Sequence, residues 1–167
     1  GGKDVSVMHA RVDERLIHGQ VMTNLSKKSG ANSIFIVDDM VANDNFMKNI
    51  FLSAGSRTGL KVQIYTLEGA VKYWEETQFE NYKCILLTKT IDTMYELAKA
   101  GVKMKEVNLG GIAKKPNTVA ILSAVCIKAE DAKHLQEMHD DMGIQDIYFQ
   151  TIPSAKRIEL AEALKKF

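Results

Sequence analysis

Ser33-Ile34-Phe35-Ile36-Val37 carries no charge, is rich in β-branched and aromatic side chains, and is stopped by Asp38-Asp39. An apolar run of this length, without polar alternation, reads as a strand buried on both faces. Working outward, Val5–Ala10 is an earlier strand, and Leu16, Ile17, Val21 and Leu25 between the two recur at near-helical spacing. On the far side, Phe46, Ile50, Phe51 and Ala54 form a helical stripe. Leu60–Tyr65 is then a strand, Leu67–Trp74 a helix, Cys84–Thr88 a strand, and Ile91–Ala100 a helix stopped by Gly101. Glu106–Leu109 is a strand closed by a tight turn at Gly110-Gly111. Thr118–Ser123 and Asp146–Gln150 read as late strands, with a helix over Ala129–Met142 between them and a helical pattern over Ser154–Lys166. This alternation predicts an α/β fold: a mainly parallel central sheet flanked by helices on both faces, with two closely spaced late strands adding an antiparallel edge.

The 167 residues suit a single domain over 1–167, with Gly1–Asp4 expected to be disordered or a cloning scar. Lys and Arg number 22 and Asp and Glu 21, so there is no basic excess for holding nucleic acid by bulk charge. No apolar run approaches the roughly 18–20 residues of a membrane span, so a cytoplasmic location is expected. Cys84 and Cys126 lie in apolar segments and are expected to be buried free thiols, without metal-ligand spacing.

In parallel sheets, ligands bind beyond the carboxyl ends of the strands, which singles out the loops Arg11–His18, Asp38–Asn45, Thr88–Thr90 and Gly110–Lys115. The first packs Arg11, Asp13, Glu14, Arg15 and His18 ahead of a helix. A helix start offers unpaired N–H groups and partial positive charge, and Arg a fork of donors matched to phosphate oxygens. The same field disfavours imidazolium at His18, and a neutral imidazole is a nucleophile. Arg15 is placed to hold phosphoryl oxygens, and Asp13 to brace Arg15 or orient the imidazole.

Arg11-Val12-Asp13-Glu14-Arg15-Leu16-Ile17-His18-Gly19-Gln20-Val21 closely resembles the R-I-D-x-R-L-I-H-G-Q-V signature of the IIB components of the mannose/fructose/sorbose class of the bacterial phosphoenolpyruvate:sugar phosphotransferase system. Further blocks follow in order: Val37-Asp38-Asp39-Met40-Val41-Ala42-Asn43-Asp44, Ala100-Gly101-Val102 with Glu106-Val107-Asn108-Leu109-Gly110-Gly111, and Ile152-Pro153-Ser154. The resemblance implies a protein-Nπ-phosphohistidine–sugar phosphotransferase with its intermediate at His18 Nδ1. The phosphoryl group would come from the IIA component and pass to a sugar carried by the membrane components IIC and IID. It implies that Arg15 contacts the phosphate, with Asp13 and Arg11 as further binding or supporting residues, and that neither cofactor nor metal is needed. Because the membrane components bind the sugar, mannose, fructose, sorbose and amino sugars such as N-acetylgalactosamine are all compatible, and oligomeric state stays open.

Asp39, Gly110 and Gly111 are further pocket candidates, against helix capping and turn formation as plainer roles. Lys114-Lys115 is a solvated loop or a docking point for an acidic surface. His9 is read as a strand or supporting residue, and His134 and His139 as surface residues. The competing functional class is a non-catalytic regulatory or anion-binding module with the same fold.

Overall fold

The computed structural model describes residues 5–167, so the reading of Gly1–Asp4 lies outside the described residues. In chain order the elements are β1 (Val7–Asp13), α1 (Val21–Ser29), β2 (Ser33–Val37), α2 (Asp39–Ala42), α3 (Asn45–Ser56), β3 (Lys61–Tyr65), α4 (Leu67–Thr77) and β4 (Cys84–Thr88). There follow α5 (Ile91–Lys99), β5 (Glu106–Gly111), β6 (Val119–Leu122), β7 (Val125–Ile127), α6 (Ala129–Asp140), β8 (Asp146–Phe149), β9 (Ile158–Glu159) and α7 (Leu160–Leu164). Seven strands form one sheet in the order β3-β2-β4-β1-β5-β8-β9. All neighbours are parallel except β8 and β9.

The strands that read as uniformly apolar are central because both faces are covered. On β2, Phe35 and Val37 join one core and Ile34 and Ile36 the other; on β4, Cys84 and Leu86 alternate with Ile85 and Leu87 in the same way. The first core is closed by α4, α5, α6 and α7, through Trp74, Met94, Leu135 and Leu160. The second is closed by α1 and α3, through Met22, Leu25 and Phe51. Cys84 and Cys126 are buried free thiols.

The antiparallel edge exists, but β9 makes it, within a segment whose pattern predicts helix; Ile158 instead pairs with Phe149, and only Leu160–Leu164 is helical. Thr118–Ser123 contributes β6, which pairs with the unanticipated β7 in a separate hairpin. Gly110 and Gly111 are no turn: they are the last residues of β5, and neither has a positive φ.

After β1 the chain turns toward β2 beneath α1, in the second core. After β5 it moves the other way to β8, with α6 in the first core. Since β1 and β5 are neighbours, their carboxyl ends part in opposite directions and leave a crevice, where open α/β sheets bind ligands.

Candidate active site at the carboxyl end of β1

β1 runs on through Asp13, so Arg11 and Asp13 belong to the strand rather than to the loop after it. Side chains alternate along a strand: Ala10 and Val12 enter the first core, while Arg11 and Asp13 face the other side. The neighbouring strands put Asn108 and Tyr148 on that same face, in register with Arg11 through β5. Here the sheet carries polar side chains where β2 and β4 carry apolar ones.

The loop from Glu14 to Gln20 is pinned by two apolar anchors. Leu16 and Ile17 are buried in the second core, Leu16 with a left-handed φ of 57°. A non-glycine residue there costs of order 1–3 kcal/mol, offset here by burying a whole leucine side chain. The turn is closed by the Leu16 amide on the Asp13 carbonyl at 2.9 Å. With both anchors inside, Arg15 and His18 are left at the surface, their side chains 53% and 20% exposed. His18 stands ahead of Val21, the first residue of α1, and the Gln20 cap makes no side-chain hydrogen bond to that helix.

Asp13 is the centre of the arrangement. Its Oδ1 accepts from the Arg15 amide at 3.0 Å and Arg15 Nε at 2.9 Å. Its Oδ2 accepts from Arg15 Nη2 at 2.9 Å and Arg11 Nη2 at 3.0 Å, and lies 3.0 Å from His18 Nε2. Burial alone would push this carboxyl up. The hydrogen bonds from His18 and Arg15 and the charge of Arg11 outweigh it and hold the group well below the usual carboxylate range. An ionised carboxylate only accepts, so the facing Nε2 carries the hydrogen. In the neutral ring the lone pair is then on Nδ1, the nucleophilic nitrogen.

The two arginines differ in kind. Arg11 is 1% exposed, and its donors are taken by Asp13, Asn108, and the carbonyls of Gln150 and Thr151. It is an internal brace, with no free edge for a phosphate. Arg15 is half exposed, and its Nε and Nη2 bonds go to Asp13, which leaves the outer edge of its guanidinium toward solvent. The glycines serve this packing. A Cβ on Gly110 would lie 2.1 Å from Arg11 Cζ, and one on Gly111 2.7 Å from Asp13 Oδ1.

Other candidates fall elsewhere. Asp39 accepts from the Leu67 amide at 2.8 Å, tying the end of β2 to α4, and has no recorded bond to the Asp13 group. Asp38 caps α2 and Asp44 caps α3. Lys115 is engaged by Glu14 at 2.5 Å, a bond that joins the basic loop to the Arg15 loop. His9 pairs Nδ1 with Glu106 at 2.8 Å, farther down the polar face, in the supporting role expected of it. Ligand atoms of Asp92, Glu130 and His134 lie within 4.8 Å of one another, beside a cleft also lined by Lys89 and Lys128 and, from the site's side, by Glu14 and Lys115. Asn108 and the carbonyls at 150 and 151 were not singled out as site groups. For Asn108 the available signals were its place in the Glu106–Gly111 block and a polar side chain between Val107 and Leu109.

A family model described as the PTS system sorbose subfamily IIB component matches residues 7–167. The sorbose-specific EIIB component of Lacticaseibacillus casei is 35% identical over 130 residues, 78% of this chain and 79% of that protein. The mannose-specific EIIAB component of Escherichia coli (strain K12) is 25% identical over 160 residues, 94% of this chain and 49% of that protein. Among solved structures, that of manxB from Thermoanaerobacter tengcongensis superposes with a TM-score of 0.88 at 37% identity, covering 96% of each chain.

Proposed function

The chain belongs to the sorbose-subfamily IIB components of the phosphotransferase system, and from that premise we propose that it relays a phosphoryl group through Nδ1 of His18. The observation that carries the reading is the bond between His18 Nε2 and Asp13, which fixes the tautomer and turns the lone pair to Nδ1.

The donor is a phosphohistidine of a IIA component, in keeping with the EIIAB name of the Escherichia coli relative. His18 Nδ1 attacks phosphorus in line. The Nδ1–P bond forms as the donor's N–P bond breaks, and the donor imidazole leaves with that electron pair. The His18 ring acquires positive charge while keeping its Nε2 hydrogen, and the Asp13 carboxylate stabilises that charge. Arg15 turns from Asp13 to the phosphoryl oxygens, and Arg11 remains beneath as the fixed counter-charge. Such transfer asks a protein mainly for positioning and charge stabilisation. In the second step a sugar hydroxyl held by IIC and IID attacks phosphorus and gives its proton to a base of those components; the Nδ1–P bond breaks, and His18 leaves with that electron pair in its starting tautomer.

In this reading residues 1–167 act as one cytoplasmic IIB domain that docks transiently at the membrane permease. No helix among the described residues is long and apolar enough to cross a membrane. A passive anion-binding module has no need of an oriented nucleophile.

The test is label transfer from radioactive phosphoenolpyruvate through the general components and a cognate IIA. The chain is expected to take up acid-labile label, and His18→Ala to take up none. Label on His18→Ala at the rate of the unsubstituted chain contradicts the assignment.

A further inference from the structure

The Asp13 network continues one strand away, on β5. Asn108 is 2% exposed and lies beside Arg11 in the register of β5 on β1. Its Nδ2 donates to the Gln150 carbonyl at 3.0 Å, which assigns Oδ1 as the acceptor for Arg11 Nη1, at 2.5 Å. On the edge of Arg11 turned away from Asp13, the remaining acceptors are main-chain carbonyls, Thr151 at 2.7 Å and Gln150 at 3.5 Å. Asp13 holds the Nε and Nη2 edge at 3.3 and 3.0 Å, and Asn108 is the side chain that fixes the third nitrogen, Nη1, of a guanidinium lying against the bare backbone of Gly110.

We propose that Asn108 is a positioning residue for phosphoryl acceptance, acting through Arg11 and Asp13 on the tautomer of His18. This rests on the reading of His18 Nδ1 as the acceptor. The chain of bonds is continuous: Asn108 to Arg11, Arg11 to Asp13 Oδ2, and Asp13 Oδ2 to His18 Nε2. Oδ2 serves both Arg11 and His18, so the direction of its lone pairs toward the ring depends on where Arg11 stands. Without Asn108, Nη1 is left without an acceptor in good geometry. The guanidinium then turns toward the main-chain carbonyls and draws the carboxylate with it. The His18 ring loses the partner that holds it in one tautomer and one orientation. Part of the neutral ring then carries hydrogen on Nδ1 and cannot attack, and the rest no longer aims Nδ1 in line.

The experiment uses the full chain with 15N-labelled histidine, read by long-range 1H–15N correlation at about pH 8, above the ordinary histidine range. The unsubstituted chain is expected to hold His18 in the Nε2–H form. Asn108→Leu, near in volume, should raise the Nδ1–H share. It should also lower kcat for phosphorylation by phosphorylated IIA about ten- to a hundredfold, with KM for IIA unchanged. A merely structural asparagine would change stability and leave the tautomer alone. A folded Asn108→Leu with the unsubstituted tautomer ratio and kcat overturns the proposal. Asn108→Ser, which cannot reach Arg11, carries the same expectation and decides the matter if the leucine variant does not fold. The tautomer measurement requires no transfer. If His18 proves not to be phosphorylated, it still judges the positioning separately.

Discussion

At Asp13 one carboxylate without solvent contact takes hydrogen bonds from Arg11, Arg15 and His18. Removing one partner of a buried charge pair leaves the other uncompensated, which costs about 3–5 kcal/mol. Asp13→Asn is therefore expected to destabilise the chain by that order at pH 7 in urea unfolding. The sign with pH follows from the depressed carboxyl. The stabilisation is complete above the unfolded carboxylate value of about 3.9 and is lost as pH falls from there toward the folded value. The gap between Asp13→Asn and the unsubstituted chain should narrow by roughly 1 kcal/mol between pH 6 and pH 3. A gap that widens over that range contradicts an ionised Asp13 brace. At this scale the sequence made Arg11, Asp13, Arg15 and His18 visible as a group, because they lie within one short stretch. It could not separate the buried arginine from the exposed one. That difference depends on Asn108 and on carbonyls nearly a hundred or more residues away, which become neighbours only when β5 and β8 join the sheet.

Among the elements, helix starts were the most legible feature wherever a short polar side chain precedes an apolar stripe. Asp44, Thr66 and Thr90 cap α3, α4 and α5 through their own side chains. Asp44 accepts from the Phe46 and Met47 amides at 2.9 and 3.2 Å. The helix it starts packs so closely that a Cβ on Gly55 would lie 1.9 Å from Val62 Cγ2. Asp44→Ala is expected to lower stability by about 1 kcal/mol in denaturant unfolding and leave phosphoryl acceptance unchanged. A loss of acceptance in the folded variant would tie α3 to the chemistry. The elements that escaped reading are those with too few residues for a period. β9 is two residues long and β7 three, and each is a strand only because a partner strand is alongside. Gly110-Gly111 had the composition of a turn, yet the requirement is close approach: the guanidinium of Arg11 occupies the space where a side chain would stand.

For the whole molecule, the parallel order was legible because β2 and β4 have both faces buried and so lack polar alternation. The strand order was not, since it depends on which connections pass over which face. That order places β1 beside β5 at the crevice and makes the carboxyl end of β1 the meeting point of an oriented histidine, an exposed arginine and a buried one. A relay must accept from one partner and give to another at a single atom, and we propose that this atom is His18 Nδ1. Phosphorus–nitrogen NMR of the 15N-histidine chain after reaction with phosphorylated IIA tests this. One phosphorus signal coupled to Nδ1 of His18 is expected. Coupling to Nε2, or a phosphohistidine signal at any other histidine, would contradict it.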